Sequence, residues 1–341
     1  MRIQYTNDGG YTISGTYTDD IPTVSTTDAA EAQTVGELSS KFEVTDHGRP
    51  KVVVGMGILF HPNGDISIHQ KALIVKALEE FGMTDCKPKY TPLPPSLNLA
   101  GSQPTPISES DKHFMRDKPY RSACGTFNHL ANGTRPDIAF AVMVLMRYAT
   151  DPRPIHWNLV LHLFRYLKAT TNLGITYRKG GIVKPVGYSD SSYADDALTR
   201  KSSAGYVFLS AGGAVGWKAK TQQRVSTSTG EAEYVGVYEG GRQAKWMTSW
   251  YFELDQYFDL PVTVHCDNEA ALALAKNASG HSRVKHVEVK THWIRDAVEH
   301  GEVHIEPISS EDNIADIFTK PLSQPKLERF IKMMGMEVLD V

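Results

Sequence analysis

Four carboxylates occupy positions where an open α/β sheet places its functional groups. The apolar pattern predicts that Asp190 ends a strand, that Glu231 opens a long helix and that Asp267 ends a later strand. Asp316 lies in the first turn of a predicted final helix. Hard divalent cations prefer oxygen ligands, and a pair of them can activate a water and stabilise a leaving oxygen. Four converging carboxylates would therefore suit two Mg²⁺ ions and the hydrolysis of a phosphodiester.

Each of these residues also has a structural interpretation. Ser228 and Glu231 have the spacing of a capping box, in which both side chains bond to the amides at the start of a helix. Asp267 could cap the helix that follows it, and Asp316 could interact favourably with a helix dipole. Asp190 has two acidic alternatives nearby, Asp195 and Asp196. Spacing alone leaves both structural and catalytic roles open.

The elements that must position these carboxylates form a regular series. Three strands are followed by alternating helices and strands, which is typical of an α/β domain with a mixed sheet. The predicted strands are 185–189, 204–211, 214–220, 262–267 and 303–308, and the predicted helices are 228–254, 268–277, 284–300 and one starting at Asn313.

The chain upstream of residue 174 has a different pattern. Asn63-Gly64 supplies the positive φ angles of a tight turn and predicts a β-hairpin over 52–69. Five prolines make 91–112 an extended linker. The change of pattern near 174–184 predicts two separable cores. Helices are expected at 27–42, 70–81, 120–150 with a break at 133–136, and 155–170.

Composition sets outer limits on the function. The 341 residues have a formal net charge of −3, so any contact with nucleic acid must come from local Lys and Arg groups. The three cysteines are far apart, which disfavours a disulfide framework and a zinc site. Since no long apolar run occurs, we expect an intracellular protein, cytoplasmic or nuclear, without membrane contact. Nothing in the sequence indicates an oligomeric state.

Several sequence blocks resemble the ribonuclease H domain of copia-type LTR retroelement Pol polyproteins, in the order in which that family carries them. The blocks are YSDSSYAD (188–195) with RKSSAGYVF (200–208), STSTGEAEY (226–234), CDN (266–268), VKHVE (284–288) and ADIFTKPL (315–322).

The resemblance implies a set of site residues. It assigns two Mg²⁺ ions, with Mn²⁺ as an alternative, to four catalytic carboxylates, and leaves three nearby acidic residues as ordinary solvated groups. The carboxylates are Asp190, Glu231, Asp267 and Asp316, and the solvated groups are Asp195, Asp196 and Glu233.

The implied fold is α/β, a ribonuclease H-like mixed sheet flanked by helices and preceded by a reverse transcriptase remnant of palm, thumb and connection. The implied activity is endonucleolytic hydrolysis of the RNA strand of an RNA–DNA hybrid. The alternative is a non-catalytic, nucleic-acid-binding remnant of a retroelement. The expected domains are a polymerase remnant (1–90), a linker (91–112), a helical connection module (113–177), a ribonuclease H domain (178–325) and a C-terminal tail (326–341).

The segments 70–88 and 119–168 are similar to the family's chain after the polymerase palm. Tyr17-Thr18-Asp19-Asp20 resembles the polymerase Tyr-x-Asp-Asp turn, which would make Asp19 and Asp20 a polymerase remnant. Its flanks are poor strand formers, so a polar loop is the alternative. The fingers and most of the palm would precede Met1, and we therefore expect no DNA synthesis.

Other residues carry weaker signals. Five histidines between 281 and 304 lack the spacing of a zinc site, and the loop 309–312 contains no histidine for proton transfer. Trp246 and Trp250 are expected in the core rather than as base-stacking groups. Lys218, Lys220 and Arg224 are expected either to lie on a solvated strand edge or to contact the phosphates of a bound nucleic acid.

Overall fold

The computed structural model describes residues 2–6, 9–99, 107–254, 261–276 and 288–341. Among these residues, no helix is both long enough and apolar enough to cross a bilayer. The strands are β1 (Arg2–Tyr5), β2 (Tyr11–Ser14), β3 (Thr23–Ser25), β4 (Val52–Val53), β5 (Met56–Phe60), β6 (Ile66–His69), β7 (Leu173–Tyr177), β8 (Val186–Ser192), β9 (Ser203–Ser210), β10 (Gly213–Thr221), β11 (Val262–Cys266), β12 (Val303–Pro307) and β13 (Met336–Val338). The helices are α1 (Asp28–Ser39), α2 (Lys71–Glu80), α3 (Glu109–Met115), α4 (Tyr120–Gly133), α5 (Ala139–Arg147), α6 (Pro154–Ala169), α7 (Thr229–Glu253), α8 (Glu269–Lys276), α9 (Glu288–Glu299) and α10 (Gln324–Met333), with 3-10 helices at Pro136–Ile138 and Ile314–Phe318.

A five-stranded mixed sheet has the order β10-β9-β8-β11-β12. The first three strands are antiparallel, whereas β11 runs parallel to both β8 and β12. This confirms the mixed α/β architecture expected from the sequence. Because β8 and β11 are parallel neighbours, their carboxyl ends meet at one edge of the sheet, where Asp190 and Asp267 lie.

Helices cover both faces of the mixed sheet. Tyr206 and Phe208 of β9 pack in one hydrophobic cluster with residues of α7. Val207, which points to the opposite face, belongs to a second cluster that contains the helical module α3–α6. Arg147 of α5 adds a polar link, because its guanidinium lies 3.1 Å from Asp195 Oδ2 in the loop after β8. One of the two hydrophobic clusters therefore contains residues from both sides of the boundary expected near 174–184.

A second sheet has the order β13-β7-β6-β5-β4 and includes the predicted hairpin, whose turn places Gly64 at φ +88°. Its edge strand β13 pairs with β7 in antiparallel register, with Met336 opposite Ile175. The expected C-terminal tail, 326–341, thus contains most of α10 and the whole of β13. Leu327 and Phe330 of α10 are buried in the same cluster as the helical module, so this segment is part of that core.

The segment with Asp19 and Asp20 lies at the tip of a small hairpin. The β2 and β3 strands pair in antiparallel register, and Tyr17 and Asp20 exchange two backbone hydrogen bonds of 2.9 Å each across a tight turn. Strand β2 ends at Ser14 and β3 begins only at Thr23, so Gly15, Thr16 and Pro22 lie outside the strands, as their composition indicated, and 15–22 form a polar turn. Both aspartates are exposed.

The last predicted helix is divided into two elements. The 3-10 helix Ile314–Phe318 carries Asp316, and α10 begins only at Gln324. Pro321 lies between them and cannot donate the backbone hydrogen bond that a continuous helix needs. Helix α3 begins within the predicted linker, of which 100–106 lie outside the described residues. The same holds for 277–287, where parts of two predicted helices fall.

Candidate active site

Three of the predicted aspartates meet at the edge of the mixed sheet. Asp190 lies near the end of β8, Asp267 directly follows β11, and Asp316 lies in the 3-10 helix Ile314–Phe318. One carboxylate oxygen from each lies within 4.8 Å of the other two. Asp190 and Asp316 are each only 2% exposed, whereas Asp267 is partly open to solvent.

The structure does not place Glu231 with these aspartates. Its Oε2 accepts hydrogen bonds from the backbone amide of Thr227 at 2.7 Å and from the Thr227 hydroxyl at 2.6 Å. Its own amide donates to Ser228 Oγ at 3.2 Å. Ser228 therefore caps α7, and the Glu231 carboxylate is engaged at the same helix start, on Thr227 rather than on the Ser228 amide of a capping box.

Glu233, expected to be solvated, is instead 7% exposed and faces the aspartates. One of its oxygens lies within 4.8 Å of ligand atoms of Asp267 and Cys266. We call Asp190, Glu233, Asp267 and Asp316 the carboxylate cluster. Helix geometry explains why Glu233 and not Glu231 faces the aspartates, because the side chains of residues two positions apart on a helix point about 200° apart.

The sequence contains a signal for Glu233 that can be used only once the position of β8 is known. Gly236 and Gly240 follow it at the i+3 and i+7 positions of α7, on the same side of the helix. At Gly236 an added Cβ would lie 3.0 Å from the backbone oxygen of Asp190, and at Gly240 it would lie 3.3 Å from Ser189 Cβ. These glycines mark the side of α7 that packs directly on β8, and Glu233 lies on that side.

Burial dominates the electrostatics of the cluster. It raises the pKa of Asp190 to about 7, with a further increase from the Asp316 carboxylate and an opposing decrease from Lys320. Burial also raises the pKa of Glu233 to about 9, with Asp190 and Asp267 adding to the effect. Part of the cluster is therefore protonated near neutral pH when no cation is bound.

Short polar contacts fix the orientation of the aspartates. The Thr319 hydroxyl donates to Asp190 Oδ2. Asn313 Nδ2 donates to the backbone oxygen of Ser189 at 3.0 Å and to Asp267 Oδ1 at 3.2 Å. The residues just before and just after the 3-10 helix thus hold two aspartates, one in β8 and one directly after β11.

The cluster fits a divalent cation. Glu233 Oε2 is buried and has no hydrogen-bond partner among the described residues, so the fold leaves one acceptor unused. The oxygens of the cluster are the ligands that Mg²⁺ and Mn²⁺ prefer. Cys266 lies beside the cluster with a buried thiol, and burial raises its pKa to about 12.

The other acidic residues near Asp190 have structural roles. Asp195 Oδ1 accepts from the backbone amide of Ser203 at 2.6 Å, in addition to its ion pair with Arg147. Asp196 is 5% exposed and accepts from the amide of Leu198 at 3.1 Å. Neither is the solvated group expected from the sequence.

The remaining predicted residues have contacts or exposure of their own. Lys218 and Arg224 are exposed, whereas Lys220 lies 2.6 Å from Glu239 Oε1 and is therefore engaged with α7. Trp246 is 58% exposed, contrary to the expected core position, and it stacks on Trp250 with ring centroids 6.2 Å apart.

Two of the histidines can be placed. His300 lies 3.3 Å from an oxygen of Asp296, and His304 lies 3.5 Å from an oxygen of Glu306. The side chains of the other three, His281, His286 and His292, are outside the described part of the chain.

The chain is similar to transposon proteins of plants and yeast. It is 36% identical over 324 residues to the retrovirus-related Pol polyprotein from transposon TNT 1-94 of Nicotiana tabacum, covering 94% of this chain and 24% of that one. It is 31% identical to the corresponding polyprotein from transposon RE1 of Arabidopsis thaliana, covering 94% and 21%. A putative transposon Ty5-1 protein of Saccharomyces cerevisiae is 30% identical, covering 70% of this chain and 75% of the yeast protein.

The chain spans about a quarter of the length of the plant polyproteins. No protein-family model matches it. Among solved structures, an LC11-RNase H1 in complex with RNA/DNA hybrid is similar at 16% identity and a TM-score of 0.31, covering 40% of this chain and 94% of that one.

Proposed function

Because the chain belongs to the retrovirus-related Pol polyproteins of transposons, we propose that residues 178–325 form a ribonuclease H domain that hydrolyses the RNA strand of RNA–DNA hybrids. The observation that carries this proposal is the convergence of four carboxylates, two of them nearly inaccessible, at the edge of a mixed sheet. Buried carboxylates that face one another destabilise the folded protein unless cations neutralise them. Their presence therefore favours a functional role for the cluster.

We propose that Asp190, Glu233, Asp267 and Asp316 hold two Mg²⁺ ions, with Mn²⁺ as a substitute. Glu233 replaces Glu231 in the set implied by the sequence blocks, because Glu231 is engaged at the cap of α7. When bound, a pair of divalent cations would supply water activation and stabilisation of the leaving oxygen.

The protein's own groups orient the reacting centre. Thr319 and Asn313 hold Asp190 and Asp267, so that the ligand oxygens keep their positions before a cation binds. We propose that the carboxylates act as cation ligands rather than as general acid and base, since one oxygen from each of Asp190, Asp267 and Asp316 lies within 4.8 Å of the other two. Asp267, the partly exposed member, marks the side from which a phosphodiester would approach.

We infer that the substrate is recognised by the shape of its groove and by its 2′-hydroxyl groups rather than by its base edges. Lys218 and Arg224, both exposed on or after β10, are available for phosphate contacts. Such contacts position a duplex without reading its sequence, so cleavage should show little sequence preference.

The full chain should be incubated with an end-labelled RNA–DNA hybrid, in Mg²⁺ and separately in EDTA. Cleavage of the RNA strand only in Mg²⁺, with an intact DNA–DNA control duplex, is the expected result. Asp316→Asn serves as the inactive control, because the amide removes one ligand charge at almost unchanged volume. Binding of the hybrid without Mg²⁺-dependent cleavage would instead support the non-catalytic alternative.

A further inference from the structure

Two lysines lie on the carboxylate cluster. Lys320 Nζ is 2.7 Å from Asp316 Oδ1 and 3.6 Å from Asp190 Oδ2. Lys326 Nζ is 3.0 Å from Asp316 Oδ2. Both oxygens of Asp316 are thus paired with an ammonium group, and one of these groups also reaches Asp190.

Local sequence preferences do not explain the positions of these two lysines. Lys326 lies in the first turn of α10, where the helix dipole disfavours a cation, and this turn contains no acidic residue. Lys320 lies between Thr319, whose hydroxyl binds Asp190, and Pro321, which restricts the backbone of the residue before it. The lysine side chains are therefore directed to the aspartates by the fold and not by helix propensity.

We propose that Lys320 is a built-in counter-ion that occupies the carboxylate oxygens needed by a divalent cation, and that cation binding displaces it. The inference rests on the metal site of the proposed function. Lys320 is suited to this exchange because its ammonium group bridges two aspartates. Its side chain is 41% exposed, so the displaced ammonium group can move into solvent. Lys326 contacts only Asp316 within the cluster, is 24% exposed, and also donates to the backbone oxygen of Ser310 at 3.3 Å.

The displacement has a consequence for affinity. A cation that enters the cluster must break the Lys320 contacts and then remain near the displaced ammonium charge. Lys320 therefore lowers the affinity for Mg²⁺ while stabilising the metal-free fold, since it neutralises aspartates that would otherwise repel one another.

Isothermal titration with Mg²⁺ tests the proposal without any catalytic readout. Lys320→Gln should bind Mg²⁺ about tenfold more tightly than the wild type and should unfold at a lower temperature in EDTA. Lys320→Arg keeps the charge and should bind Mg²⁺ no more tightly than the wild type. Lys332→Gln, on the exposed last turn of α10, is the matched control for a general loss of positive charge.

The outcomes separate the two proposals. If the wild type binds no Mg²⁺, the metal site of the proposed function fails. If the wild type binds Mg²⁺ but Lys320→Gln binds it no more tightly than Lys332→Gln does, only the counter-ion proposal is overturned.

A measurement on the wild type avoids any folding defect in a variant. A pulse of acetic anhydride, read by mass spectrometry, reports how reactive each lysine amine is. Lys320 should be protected in EDTA and labelled several-fold faster in Mg²⁺, while Lys332 should not change. Equal labelling of Lys320 in both conditions would contradict the displacement.

Discussion

At the scale of single residues, Glu231 and Glu233 lie two positions apart and have opposite surroundings. We predict that Glu233→Gln lowers Mg²⁺-dependent cleavage by at least about 100-fold, because it removes a charge from the proposed metal site. Glu231→Gln should keep most of the activity and cost only about 1 kcal/mol of stability through the weakened cap. Initial cleavage rates and thermal unfolding of both variants test this, and the reverse ranking of their rates would show that Glu231 is the ligand.

A second prediction concerns the stability of the metal-free protein as a function of pH. Raised carboxyl pKa values, about 7 for Asp190 and about 9 for Glu233, give stability that is complete below about pH 4 and is lost as the pH rises through those values. The unfolding temperature in EDTA should therefore fall from acidic to alkaline pH. Glu233→Gln should flatten the upper part of this decrease.

Added Mg²⁺ provides the matched comparison for the pH prediction. It should raise the unfolding temperature of the wild type more at pH 8.5 than at pH 6, because protons compete less strongly for the ligands at the higher pH. An equal rise at both pH values would argue against a cation site made of these carboxylates.

The aspartates could be predicted from the sequence, whereas the glutamate could not. Asp190 and Asp267 stand at or near the ends of apolar strand patterns, and parallel strands bring such positions together. Glu231 and Glu233 both fall near the start of α7, where a capping box looks the same whether or not a ligand lies nearby. The choice between them depends on which side of α7 faces β8, and the spacing of Gly236 and Gly240 shows this only once the sheet is known.

At the scale of elements, the contact between α7 and β8 sets the position of Glu233. We predict that Gly236→Ala destabilises the protein by about 1–3 kcal/mol and lowers cleavage, because the added Cβ would lie 2.5 Å from Ser191 Oγ and 3.0 Å from the Asp190 backbone oxygen. Gly125→Ala is the control, since its Cβ would meet nothing within 4 Å in the middle of α4. That change should be neutral or stabilising by about 0.4–1 kcal/mol.

Denaturant unfolding gives both free energies for this pair of glycine variants. A Gly236→Ala protein as stable and as active as Gly125→Ala would show that α7 can move away from β8 without consequence.

Elements with local signals were predictable, and elements held by distant partners were not. The helices α2 and α6 have the apolar periodicity that their sequence shows. Strand β13 has only three residues, too few for a pattern, and β7 lies between the distant segments β6 and β13. The hydrogen-bond partners of both strands are far away in the sequence, so no local window of sequence contains them.

At the scale of the whole molecule, the mixed sheet depends on the helical module. We predict that a fragment of residues 178–341 does not fold stably, because it exposes the Val207 face of the sheet and leaves β13 without β7. A fragment of residues 52–341 retains both partners and should unfold cooperatively. Limited proteolysis and thermal unfolding of the two fragments test this. Equal protease resistance of the shorter fragment would mean that the shared core contributes little.

The pairing of β13 with β7 also governs the order of folding. Thr176 Oγ1 donates to Glu337 Oε1 at 2.7 Å, across a separation of 161 positions along the chain. Contacts of such long range slow folding, because a large loop must close before they form. During synthesis, β7 leaves the ribosome long before β13 has been made. The side of β7 that later pairs with β13 stays unpaired during this time. The second sheet is therefore completed last, after the whole carboxylate-bearing segment between its two halves has emerged.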